Sequence, residues 1–97
     1  MAKVYISGKI TGLDYQDAFN NFEKAEQEIK GLGGVSVNPM KLIHKENADW
    51  FDYMENDLAA LLRCEGIYML KDWGNSKGAR LERAVALELG LSIVYQK

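Results

Sequence analysis

Ninety-seven residues, 47% hydrophobic and 27% charged, supply one globular core and exclude a second. A net charge of -2, with no lysine or arginine run, lacks the electrostatic footprint that duplex nucleic acid or an anionic membrane surface demands, so small molecules and other proteins are the expected partners. Cys64 is the one cysteine, which excludes an internal disulfide and a cysteine-based zinc site. No apolar run is long enough for a signal peptide or a bilayer span, and the expected location is the cytoplasm.

KVYIS (3–7) is rich in β-formers and predicts a strand, followed by the polar, two-glycine loop GKITGLDYQ. From Asp17 to Leu32 the residues Ala18, Phe19, Phe22, Ala25, Ile29 and Leu32 recur at helical spacing, with Asp14 or Asp17 as the cap and Gly33-Gly34 as the stop. VSVN (35–38) predicts a short strand ended by Pro39, and residues 40–48 a polar loop. Asp49 to Arg63 is helical again, with Trp50, Met54, Leu58 and Leu61 along one side. GIYML (66–70) predicts the third strand, KDWGNS a loop, residues 77–89 the third helix ended by Gly90, and LSIVY (91–95) the fourth strand. Strands alternating with helices of about a dozen residues imply right-handed βαβ crossovers and an α/β domain with a parallel sheet of about four strands, spanning 1–97. Ligands bind such sheets beyond the carboxyl ends of the strands, so segments 7–16, 38–48 and 71–78 are expected to meet one.

SGKITG holds Gly8-Lys9 and Thr11, yet it is not a P-loop: Lys3 stands where the leading glycine belongs and Ile10 where a Ser or Thr must follow the lysine. No G-x-G-x-x-G follows the first strand either. Gly8 and Gly12 are either turn glycines or sites where backbone N–H groups approach a ligand phosphate.

The sharper signals are carboxylates. On the third helix Glu82 shares a face with Gly78, Val85, Ala86 and Leu89, and on the second Asp57 falls between Tyr53 and Leu61 near Trp50 and Met54. An unpaired carboxylate facing a core costs several kcal/mol or shifts its pKa upward, so each has a partner or faces a cavity. One reading is structural, with each carboxylate capping a loop or pairing with an arginine such as Arg63 or Arg80. The other is a carboxylate pair acting on a polar substrate, as in glycosyl transfer. Trp73, in KDWGNS, is a candidate to stack on a planar ligand group, or to close over the core or over a subunit partner. Asn38 is a candidate ligand contact or a plain strand terminator. His44 is the single histidine, expected to be neither ligand nor catalyst.

KVYISG, DLAALLRCEGIYML and SKGARLERAVALELGL, in that order and spacing, resemble the nucleoside 2-deoxyribosyltransferase superfamily, which includes the 2'-deoxynucleoside 5'-phosphate N-hydrolases; the similarity runs through essentially every element. The resemblance implies a small flavodoxin-like, Rossmann-like three-layer fold. It implies a nucleoside or its 5'-monophosphate as substrate, cleavage or transfer at the N-glycosidic bond, and no metal or cofactor. Tyr5, Asp57, Ser76 and Glu82 fall on the family's motif positions: Glu82 as nucleophile at C1', Asp57 assisting the departing base, and Ser76 contacting the sugar or its 5' end. Gly8, Lys9, Thr11, Gly78, Asn38 and Trp73 complete the expected binding set. Glu65 stands where the family has a second aspartate. YQK ends the sequence directly after the fourth strand, whereas longer family members finish the pocket with further segments, often from a neighbouring subunit. A homo-oligomer through the helices at 17–32 or 49–63 is therefore expected. A binding or regulatory module that keeps the pocket without turnover is the alternative.

Overall fold

The computed structural model describes residues 2–97. Strands β1 (Lys3–Ser7), β2 (Val35–Val37), β3 (Gly66–Met69) and β4 (Ser92–Tyr95) form one sheet in the order β2-β1-β3-β4. Every pairing is parallel, with Tyr5 opposite Val37 and Ile67, and Tyr68 opposite Val94. Helices α1 (Tyr15–Gly31), α2 (Trp50–Leu61) and α3 (Lys77–Leu89) make the crossovers, and single 3-10 turns sit at Pro39–Lys41 and Trp73–Asn75. This is the α/β domain with a four-stranded parallel sheet expected from the strand and helix alternation, and its strand order is the flavodoxin-like one that the resemblance implies.

Local chemistry accounts for the boundaries. Asp14 caps α1 by accepting from the N–H groups of Gln16 and Asp17, which decides between the two candidate caps. Asp49 and Asp52 form a reciprocal capping box at the start of α2. Ser76 caps α3 through the Ala79 N–H, and Gly90 ends it in the left-handed region at φ 70°.

The period-two alternation of the strands divides the core into two layers. Ile6, Tyr68 and Leu70 point to one face and pack with Phe22, Ala25 and Ile29 of α1. Tyr5, Ile67 and Met69 point to the other and pack with Leu61 of α2 and Ala79 and Ala86 of α3. Two predicted core positions are corrected. Leu32 lies one residue past the end of α1 as its C-cap and is exposed, because the helical pattern in the sequence outlasts the turns that touch the sheet. Leu89, in the last turn of α3, is half exposed, and the buried stripe of that helix is Ala79, Glu82 and Ala86.

The chain runs from β1 outward to β2 and then returns to β3 on the opposite side of β1, so the direction of winding reverses between β1 and β3. The crevice at their carboxyl ends is where this fold class opens a ligand site. Two glycines let the walls close up there. A Cβ on Gly8 would sit 2.5–2.8 Å from the Cδ1, Cγ and Cβ atoms of Leu70, and one on Gly78 would sit 3.2 Å from the Met54 sulfur. Among the described residues no helix is long and apolar enough to cross a membrane.

Gly8→Ala is expected to destabilise the fold by about 1–3 kcal/mol, because the added methyl overpacks against the buried Leu70. Gly74→Ala serves as the control, since a Cβ there meets nothing within 4 Å. Urea denaturation midpoints check the difference, and equal midpoints would show that Leu70 yields at no cost.

Candidate functional site

A cavity of about 810 Å³ opens at this crevice, within the range that holds a small organic ligand. Tyr5, Gly8, Lys9 and Thr11 line it from β1 and the following loop; Trp50, Tyr53, Met54 and Asp57 from α2; and Ser76, Gly78 and Glu82 from the start of α3. The helical spacing that carried Asp57 and Glu82 onto apolar faces therefore turns both towards one hollow.

Glu82 is nearly fully buried, only 5% exposed, and its carboxylate meets two hydroxyls. Tyr5 Oη donates to Oε2 at 2.7 Å and Ser7 Oγ donates to Oε1 at 2.7 Å. Both donors come from one strand two residues apart, so they project from the same face of the sheet, the face that α3 covers. Among the described residues no cation pairs with the group. Among the described residues the ion pairs join Lys41 to Glu23 and Glu26 and Lys45 to Asp52, all at the surface, while Arg80 donates to the Gly74 carbonyl. The arginine-pairing reading of the two carboxylates is thus not what the chain adopts.

Burial pushes the Glu82 carboxyl up to about 7; the two hydroxyl donors pull it down, and the charge of Asp57 adds to the rise. Asp57 is itself buried, its Oδ1 has no hydrogen-bond partner, and desolvation pushes it up to about 7 as well. Burial, with the charges of Glu82 and Asp57, raises the Tyr5 phenol well above its ordinary range, so that hydroxyl remains a donor at neutral pH. The two acids differ in one respect. Glu82 accepts two short hydrogen bonds, one on each oxygen, whereas Asp57 has a bare oxygen at Oδ1, so only Glu82 has donors in place to meet a negative charge.

The remaining predicted residues divide. Gly8, Lys9, Thr11, Ser76 and Gly78 reach the cavity, and the Lys9 N–H donates to Asp72 at 3.2 Å, tying the loop after β1 to the loop after β3. Ser76 uses a lone pair on the Ala79 N–H and keeps its own O–H free to donate. Asn38 lies outside the lining: its side chain accepts from the Met40 N–H and donates to Glu26, pinning the 3-10 turn after β2 to α1. Trp73 lies outside it too, packed on the α3 core with the Arg83 guanidinium 4.8 Å from its ring and Tyr95 beyond. Both take the structural option that the sequence left open.

Ser7 is not among the candidates that the sequence offers, since nothing in the pattern of KVYIS marks one serine for this use. Three aromatic groups at the cavity also went unrecognised. The Lys77 ammonium stands 4.2 Å from the Trp50 ring centroid, linking the first turns of α2 and α3. The His44 and Tyr53 rings lie 4.4 Å apart, with a His44 nitrogen 3.1 Å from the Asn56 amide. In the sequence Trp50 read as core, and only the crossing of the helices makes it a wall. Among the described residues no three His, Cys, Asp or Glu side chains are grouped to hold a metal ion.

The chain matches the family model described as Domain of unknown function (DUF4406) over residues 2–95 and belongs to that family. No curated protein sequence matches it. Among solved structures it is similar to a 2-desoxiribosyltransferase from Leishmania mexicana, with a TM-score of 0.70 and 17% identity over 98% of this chain and 63% of that one. At that identity the likeness is one of fold, and this chain spans less than two thirds of the other's length.

The raised carboxyls set the pH dependence of stability. Glu82 binds its proton more tightly folded than unfolded, where its pKa is near 4.5, so its stabilisation is complete below that pH and is lost as pH rises through about 7. The loss amounts to about 3 kcal/mol for this group, and Asp57 acts in the same direction from its unfolded value of 3.8. Unfolding free energy is therefore expected to fall between about pH 5 and 8. Glu82→Gln should flatten that slope and match or exceed the wild type above pH 7. Chemical denaturation across the range checks this, and a loss of about 3–5 kcal/mol at neutral pH would mean the charge has a buried cationic partner after all.

Proposed function

We propose that this member of the DUF4406 family cleaves or transfers at the N-glycosidic bond of a nucleoside or its 5'-monophosphate, with Glu82 as nucleophile. One observation carries the reading: a buried carboxylate with no cationic partner, held by two hydroxyls at the wall of a cavity that also receives a second, unsatisfied carboxyl. A purely structural carboxylate at that depth costs stability and returns nothing, whereas a nucleophile must be desolvated to react and oriented to attack. The fold shared with a 2-desoxiribosyltransferase agrees with this chemistry.

In this reading the charge sits on Glu82, whose two oxygens have donors, and the proton on Asp57, whose Oδ1 is bare. A Glu82 carboxylate oxygen attacks C1' of the bound sugar as the C1'–N bond breaks, the bonding pair leaves with the base, and the Asp57 carboxyl gives its proton to the departing nitrogen. Water, deprotonated by the Asp57 carboxylate now formed, or the nitrogen of a second base then attacks C1' and restores Glu82 as carboxylate. Lys9, Thr11 and the O–H of Ser76 are within the cavity to hold the sugar and its 5' end, and Trp50 and Tyr53 supply apolar wall for a planar base. Phe51 in the first turn of α2 and Leu62, its C-cap, stand exposed and are suited to pair two copies of the chain.

Chromatography of nucleosides and 5'-nucleotides incubated with the chain should reveal free base, with Glu82→Gln reducing release by three orders of magnitude or so while ligand binding persists. Asp57→Asn should cost about 10²–10⁴-fold, and less for bases that leave without protonation. Ligand binding without release by the wild type would favour the non-catalytic module. Light scattering at micromolar concentration is expected to give a dimer or larger species, and a monomer would remove the oligomer from this reading.

A further inference from the structure

Ser7 is 1% exposed, on a strand whose neighbours Tyr5 and Ile6 are fully buried, and its hydroxyl is given wholly to Glu82. A serine so placed gains nothing for packing that alanine would not give, and leaving its hydroxyl without a partner at that depth would be costly. The bond it makes is short, 2.7 Å, equal to that from Tyr5, and it ends on the other carboxylate oxygen. Two donors fixed on one rigid strand and directed at the two oxygens of one carboxylate leave it no free rotation about its last side-chain bond.

We propose that Ser7 is a positioning residue for Glu82: together with Tyr5 it fixes the plane of the carboxylate and makes Glu82, rather than Asp57, the member of the pair that carries the charge. The proposal rests on the reading of Glu82 as nucleophile. An ionised carboxylate accepts from both hydroxyls, whereas a protonated one must donate from one of its oxygens, so the paired donors favour the ionised form. Asp57 has no such donor at Oδ1. The groups facing Glu82 are Tyr5 and Ser7 from β1 and Asp57 from α2. Lys9, Tyr15, His44, Tyr53 and Lys77 share the cavity, and none of them makes a hydrogen bond or ion pair with Glu82 among the described residues. With cations absent from its contacts, the hydroxyls are what stabilises the charge. Tyr5 alone could hold one oxygen; it takes Ser7 to hold the second and so set which lone pair faces the sugar.

The test is a titration of the Glu82 side-chain carboxyl by NMR in chain labelled with ¹³C-glutamate, its resonance assigned by its absence from Glu82→Gln. Ser7→Ala is expected to raise the Glu82 midpoint by about one pH unit, from the loss of one hydrogen bond to a charged acceptor. Ser7→Cys, nearly isosteric with a weaker donor, should move it in the same direction by less, and it stands in if the alanine variant fails to fold. With a substrate, the rising limb of the pH–rate profile should move to higher pH by the same amount. At pH 7 kcat should fall about fivefold relative to the wild type with KM little changed, and by pH 9 the two should nearly coincide. An unmoved Glu82 midpoint in a folded Ser7 variant overturns the proposal whatever the substrate. A moved midpoint in a chain that releases no base from any nucleoside upholds the two-hydroxyl clamp and overturns the nucleophile reading instead.

Discussion

The rest of the site depends on how one carboxylate is kept out of water without a cation. Glu82 is placed by α3 against the centre of the sheet, and the groups that satisfy it are hydroxyls of β1. A guanidinium in their place would neutralise the charge and hold the carboxylate far below neutral pKa. Hydroxyls satisfy the oxygens and leave the charge unneutralised. The carboxyl consequently keeps a proton affinity near neutrality.

That arrangement needs β1 and the start of α3 to lie close together, and the winding of the chain arranges it. Because β1 and β3 are neighbours from which the crossovers diverge, a crevice opens at their carboxyl ends, with α3 following β3 on one side of it. The glycines keep the crevice narrow. Gly8 lets the loop after β1 lie on Leu70, and Gly78 lets the first turn of α3 approach Met54 of α2. The second approach also sets Asp57, one turn after Met54, into the same hollow as Glu82.

Two acids of similar proton affinity in one cavity would be interchangeable if their surroundings were alike. They are not alike: one has both oxygens occupied by donors, and the other has a bare one. The asymmetry comes from the strand rather than from either acid, since both donors stand on β1. Burial of both groups lowers stability at neutral pH, since each carboxyl resists ionisation that solvent would otherwise favour.

The amino-acid sequence by itself determined the element order, because helix and strand are written in periods of 3.6 and 2 that local backbone geometry imposes. Caps such as Asp14, Asp49 and Ser76 mark the helix starts in the same local way. It also determined that Glu82 and Asp57 face inward, since a charge on an apolar stripe is visible from spacing alone. Tertiary structure decided the rest. Whether those carboxylates met arginines or a cavity depended on how α2 and α3 cross over the sheet, and the nearest arginine candidates turned to a carbonyl and to the surface instead. Ser7 is silent in the sequence because one serine in a strand has many uses, and its use here exists only once Glu82, 75 residues away, is folded onto it. Asn38 and Trp73 sit on segments that point towards the crevice, yet the direction of a side chain from a loop is set by its tertiary contacts, and theirs are with α1 and the α3 core.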